Sequence, residues 1–233
     1  RNQGWEMTDL QRDIYEKKYR FENESFDEFL NRVSGGNSEI NKAIRDKKFM
    51  PAGRILAGRG LDKLGRKVTL SNCYVMPKVE DNIESIFDTA KYLARTYSYG
   101  GGVGLNISKL RPKGAKVNNA ANTTTGACSF MELYSLVTGL IGMRGRRGAL
   151  MINMDVNHPD IEEFIDIKND LDKVTKANIS INITNDFMEA VEKNDNYELY
   201  FKVEATGEEI KRKVNARELF KKIAVSNWKM AEP

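Results

Sequence analysis

The stretch that decides the fold spans residues 81–107 and reads DNIESIFDTAKYLARTYSYGGGVGLNI. Ile83, Ile86, Phe87, Ala90, Leu93, Ala94 and Tyr97 fall on one helical face, with Asp81 as the expected N-cap. Gly100, Gly101 and Gly102 then break the helix and lead into a short strand over 103–107. Ahead of the helix, residues 68–76 are rich in β-formers and read as a buried strand. Strand, helix and strand in this order open a βαβ unit.

The same alternation continues downstream. Residues 130–141 read as an amphipathic helix and 149–156 as an apolar strand. Pro159 suits the first position of a helix through Ile167. Residues 178–184 alternate isoleucine with polar residues as a strand does, and 187–191 read as helical. A hairpin over 197–203 and 209–214 would turn at Thr206-Gly207, before a last amphipathic helix over 217–230. Upstream the pattern is helical. Leu10, Ile14 and Tyr15 form one stripe, and Phe26, Phe29, Leu30 and Val33 form another. A third helix from Ser38 is expected to end near Phe49-Met50, before Pro51. The expected organisation is a helical region over 1–67 and an α/β unit over 68–233. Its sheet would be parallel, with chemistry gathered at the C-terminal strand ends.

Composition narrows the classes. The chain has 233 residues, 37 basic against 33 acidic, and a net charge of +4. That charge is too small and too mixed to argue for nucleic-acid binding. No apolar run reaches the roughly 18 residues of a membrane span, and the N-terminus has no apolar signal core. Two cysteines and one histidine suit neither a disulfide scaffold nor a structural zinc site. A cytoplasmic protein is expected.

Several segments suit ligand chemistry. The run from Gly100 to Gly104 is not a dinucleotide fingerprint, and residues 60–66 lack the lysine and hydroxyl of a phosphate loop. The glycines either let a base or sugar lie against the main chain or make a tight turn before a strand. Arg144, Arg146 and Arg147 interleave with Gly142, Gly145 and Gly148 in a mobile cationic loop. Such forks fit phosphate or nucleobase edges, or else form a solvated turn. Arg111, Lys113 and Lys116 make a second basic patch with the same two readings. Cys73 is a buried core thiol or a redox thiol at a strand end, and its polar neighbours Ser71 and Asn72 favour the second. Cys128 is assigned to packing and His158 to the approach of a helix.

Taken together, these strings resemble the large catalytic subunit of ribonucleotide reductase, most closely the adenosylcobalamin-dependent class II branch. They are Ser71-Asn72-Cys73-Tyr74-Val75, then Asp81-Asn82-Ile83-Glu84-Ser85-Ile86-Phe87, Gly100 to Asn106 continuing to Lys109-Leu110-Arg111-Pro112-Lys113-Gly114, Gly145-Arg146-Arg147-Gly148, His158-Pro159-Asp160-Ile161-Glu162-Glu163-Phe164-Ile165, and Asn178-Ile179-Ser180. Class I shares most of these landmarks. The resemblance implies a helical N-terminal region and the first half of a ten-stranded α/β barrel. It makes Cys73 the cysteine that reduces the ribose 2′ position and forms a disulfide with a second cysteine. Ser71, Asn72, Gly100, Gly101, Gly102, Arg146 and Arg147 would lie toward the substrate ribonucleotide. Asp81, Asn82, Arg111 and Lys113 would serve a deoxynucleoside triphosphate effector near a homodimer interface.

The family's radical cysteine, in an Asn-x-Cys-x-Glu string, has no counterpart in the sequence. Nor does the partner of the redox pair, or a region like the ATP cone. The expectation is therefore a piece that needs a complementary C-terminal half or chain, a thioredoxin-like reductant and adenosylcobalamin. The competing expectation is a catalytically inert nucleotide-binding module.

Overall fold

The computed structural model describes residues 7–66, 68, 70, 73–143, 146–167 and 174–231. Of residues 142–143, 146–147 and 227–231 only the backbone is described. The N-terminal part holds α1 (Asp9–Ile14), which continues as a π turn over Tyr15–Tyr19, then α2 (Phe26–Ser34), α3 (Ser38–Arg45) and α4 (Gly53–Gly58). Thr8 and Ser25 start the first two with reciprocal capping boxes to Gln11 and Glu28, so each helix begins where its sequence offers an acceptor. Helix α3 stops at Arg45, short of the expected Phe49. Phe29, Leu30, Val33, Ile44 and Leu56 form the small core of this region. Beside it lies the Arg32–Glu24 ion pair at 2.6 Å, almost wholly out of solvent.

The α/β part alternates as expected. Strand β1 (Cys73–Val75) is followed by α5 (Ile83–Ser98), β2 (Gly102–Asn106), α6 (Phe130–Leu140), a short antiparallel pair β3 (Gly142–Met143) and β4 (Arg146–Arg147), and β5 (Leu150–Asp155). Then come α7 (Ile161–Asp166), β6 (Ala177–Asn182), α8 (Asn185–Lys193), the hairpin strands β7 (Asn196–Lys202) and β8 (Glu209–Asn215), and α9 (Ala216–Ala231). Strands β1, β2, β5 and β6 pair in that order, all parallel, in one open four-stranded sheet. This is the expected α/β architecture with a helical N-terminal region, and the hairpin stands outside the sheet.

Register sorts the strand residues onto two faces, because partners across a ladder share a face. Val103, Leu105, Leu150, Ile152, Met154 and Ala177 point into a core shared with Ile86, Leu93 and Tyr97 of α5, Met131 and Tyr134 of α6, and Phe164 of α7. The opposite face carries Cys73, Val75, Gly102, Gly104, Asn106, Met151, Asn153, Asp155, Asn178, Ser180 and Asn182. From Met151 onward these side chains are half or fully exposed.

Three sequence expectations need correction. The strand expected over 68–76 is confined to Cys73–Val75 among the described residues, and it is exposed, with Val75 at 90%. Among the described residues it lies at the edge of the sheet and pairs with β2 alone. Asn82, not Asp81, caps α5, its side-chain oxygen accepting the Ser85 N–H at 2.7 Å. Helix α7 begins at Ile161 rather than Pro159, because residues 158–160 are used as a turn.

Candidate functional site

The polar sheet face is assembled from three short sequences, GVGLN, LMINMD and ANISIN, whose alternate residues share one side. At its C-terminal end a network ties the strands together. Asn106 Oδ1 accepts the Ser108 N–H at 2.9 Å, and Ser108 Oγ accepts the Asp155 N–H at 2.7 Å. Asp155 Oδ1 accepts from Asn182 Nδ2 at 2.9 Å, and Lys78 Nζ stands 3.4 Å from its other oxygen. Burial pushes the Asp155 carboxyl up, but the Asn182 bond and the Lys78 charge outweigh it and hold the group below its usual range. None of Asn106, Asn153, Asp155 or Asn182 was singled out from sequence. Their signal is the period-two alternation, which shows only once register puts them side by side.

Cys73 lies on this face, exposed, directly across the ladder from Gly102. Cys128 is fully buried at the start of α6, and burial with the nearby Glu163 and Asp160 charges pushes its thiol far up. Cys73 is thus open to solvent, against the buried strand expected over 68–76, while Cys128 is packed as expected.

The glycine run is largely a turn. Gly100 has φ +87° and its N–H bonds back to Tyr97 O at 2.9 Å, while Gly101 N–H reaches Thr96 O at 3.2 Å. A Cβ on Gly101 would lie 2.6 Å from the Tyr74 ring, so that position is bare because an aromatic ring fills it. Gly102 is the residue of the three that stands in the ladder beside Cys73. Ser71 and Asn72 lie outside the described residues, as do Arg144 and Gly145; of Arg146 and Arg147 only their backbone pairing in β3–β4 is described.

A second cluster lies at the loop over 111–126, between β2 and α6. Asp81 accepts the Arg111 N–H at 3.1 Å and its Nε–H at 2.8 Å, and Arg111 Nη1 donates to Lys116 O at 2.7 Å. Asp81 and Arg111 thus hold each other, and the pair is mostly buried. The Lys113 side chain is exposed, while its backbone N–H is taken by Asp160. His158 is buried with both ring nitrogens bonded, one to Leu110 O and one to the Asp160 N–H. Beyond its place before a helix, it pins this loop, which the sequence did not show.

Residues 71–233 match the family described as ribonucleotide reductase, barrel domain. The chain belongs to the ribonucleotide reductase family. Over 218 residues it is 35% identical to a vitamin B12-dependent ribonucleoside-diphosphate reductase of Thermoplasma acidophilum, covering 90% of this chain and 27% of that protein. Over 153 residues it is 39% identical to one of the same name from Mycobacterium tuberculosis, covering 65% of this chain and 21% of that protein. A ribonucleoside-diphosphate reductase subunit alpha of Helicobacter pylori is 30% identical over 192 residues, covering 72% and 24%. The chain spans about a quarter of the length of these curated relatives. Within this ribonucleotide reductase chain the parallel sheet supplies four strands of the barrel domain, and the sheet is open.

Proposed function

We propose that the chain supplies the reducing-thiol half of a ribonucleotide-reducing site, with Cys73 acting on the ribose 2′ position. The observation that carries this reading is the exposed Cys73 on the polar sheet face, in register with Gly102, while Cys128 is sealed in the core. In the reduction, the C2′–O bond breaks, the hydroxyl leaves as water and a C2′–H bond forms. The two electrons come from two thiols, which join as a disulfide. Cys73 is one of them, and the other belongs to a segment outside this chain, as does the radical cysteine. Cys128 does not serve, because its thiol cannot reach a ligand. Asn106 and Asn153 offer amide groups to sugar hydroxyls from the same face. Ser71, Asn72, Gly100, Gly101, Arg146 and Arg147 are proposed to complete the substrate surround, with Gly100 and Gly101 acting through the turn that sets the approach of β2.

We assign the loop over 111–126 to the deoxynucleoside triphosphate effector. Arg111, fixed by Asp81, shapes it, and the exposed Lys113 ammonium faces phosphate. Asn82 contributes by starting α5 beside Asp81. Ile83 and Phe87 on α5 and Leu136 and Leu140 on α6 are exposed on two helices that pack together, which supports a homodimer with this site near the interface. Among the described residues no helix is long and apolar enough to cross a membrane, and a cytoplasmic location is proposed.

Adenosylcobalamin is assigned to the complete enzyme on the relatives' names. No described residue of this chain is assigned to the corrin, and the chain's one histidine is buried with both ring nitrogens engaged within the protein. A thioredoxin-like dithiol is the proposed reductant that resets the disulfide.

The test is Cys73→Ser in the complete enzyme. Multiple turnover with a dithiol reductant should be lost while binding of substrate and effector nucleotides persists. An unchanged steady-state rate would overturn the reading.

A further inference from the structure

The turn His158-Pro159-Asp160 joins parts of the chain that are far apart in sequence. The Asp160 N–H points at His158 Nδ1 at 3.0 Å. A backbone N–H can only donate, so Nδ1 carries the lone pair and Nε2 the proton, which it gives to Leu110 O at 2.7 Å. The Asp160 carboxylate accepts the Lys113 N–H at 3.1 and 3.2 Å and the Ala127 N–H at 3.2 Å. Leu110 and Lys113 lie where the 111–126 loop leaves the sheet, and Ala127 lies where it returns. Between them the loop is its own small hairpin, with Gly114 N–H on Thr124 O at 3.0 Å and Thr124 N–H on Ala115 O at 2.9 Å. On the other side the β7–β8 hairpin braces the turn. Tyr200 N–H donates to Asn157 O at 2.9 Å, Arg212 Nη2 donates to Pro159 O at 2.8 Å, and the Phe201 ring meets the imidazole edge-on at 5.4 Å.

We propose that His158 and Asp160 are positioning residues for an anionic ligand on the 111–126 loop, clasping its two ends so that the disposition of Arg111 and Lys113 is set from the buried turn. This inference rests on the effector reading of that loop. The clasp depends on one protonation state. A proton on Nδ1 turns the acceptor into a donor facing the Asp160 N–H, and that bond is lost. Burial holds the imidazole neutral against the pull of Asp160 in its own turn, Asp155 at the end of β5 and Asp81 before α5, while the Arg212 cation faces the turn from the hairpin. His158→Asn places Oδ1 where Nδ1 stands and does not titrate.

The experiment uses the full chain in its complete enzyme. Binding of dATP, dGTP and dTTP is titrated from pH 7.5 down to 5.5 in the wild type and in the His158→Asn and Arg212→Met variants, with amide exchange read at Lys113 and Ala127. The wild type should lose affinity on acidification by about tenfold more than His158→Asn, the upper end of what one hydrogen bond between neutral groups contributes. The ligand's own titration is common to both. Arg212→Met should loosen both amides and weaken binding already at pH 7.5, where the imidazole is neutral. Identical pH slopes in wild type and His158→Asn would overturn the inference, as would loosened amides with unchanged affinity, which marks a purely structural turn. A wild type that binds no triphosphate would overturn the effector reading and this inference with it. A wild type that binds and shows no difference from the variants would overturn the inference alone.

Discussion

Replacing Gly126 with alanine strikes the loop clasp where it is tightest. Gly126 has φ +99° and ψ 173°, a region that side chains rarely enter, and forcing alanine into it costs about 1–3 kcal/mol. The added methyl would also lie 2.8 Å from Lys113 N and 2.9 Å from Lys113 Cα and Asp160 Oδ2. The first two are backbone, and the carboxylate is held by N–H groups from two segments. Opening enough room stretches the bonds from the Lys113 N–H, already at 3.1 and 3.2 Å, past their useful range. Losing a hydrogen bond to a charged group adds about 1.5–3 kcal/mol, for a total of about 2.5–6 kcal/mol. Gly114 provides the control. It sits in the same loop with φ +83° but has open space around its would-be methyl, so Gly114→Ala carries the backbone strain alone. Urea unfolding of both variants at constant slope separates the two contributions. Should Gly126→Ala be no more destabilised than Gly114→Ala, the close approach of Asp160 to the loop would not be what holds it.

Two further outcomes follow from burial. A thiol reagent should label Cys73 rapidly in the folded chain and Cys128 only after denaturant is added, and fast labelling of both would contradict the sealed position of Cys128. Because His158 is held neutral when folded, the unfolded chain takes up its proton first. Its contribution is therefore intact above about pH 6.5 and declines as pH falls below it, by up to about 1.4 kcal/mol per pH unit until the folded imidazole also titrates. His158→Asn should flatten that limb of the stability profile, and an unaltered limb would place the titration elsewhere.

The alternation of elements was legible because the longer helices carry apolar stripes and breaks such as those after α2 and α5 carry glycines, Gly35 and Gly100. Gly207 at φ +71° turns the hairpin that the sequence placed at Thr206-Gly207. What was illegible depends on long-range partners. Residues 68–76 look like a core strand by composition, but burial is decided by how many neighbours a strand has, and among the described residues β1 pairs on one side only. Asp81 and Asn82 are equally good caps in isolation. The choice was made 30 residues away by Arg111, which takes the Asp81 carboxylate and leaves Asn82 to the helix. His158 looked like punctuation before a helix because nothing local says that Leu110 O, 48 residues earlier in the chain, lies 2.7 Å from its ring. In a parallel sheet such contacts are the rule: successive strands end side by side, so the loops that follow them meet in space while staying distant in sequence. Of the polar residues that sequence reasoning missed, Asn106, Asp155 and Asn182 close their strands, and Asn153 lies across the ladder from Asn106. The same geometry that hid them also brings Cys73 on β1, Asn106 on β2 and Asn153 on β5 onto one open face.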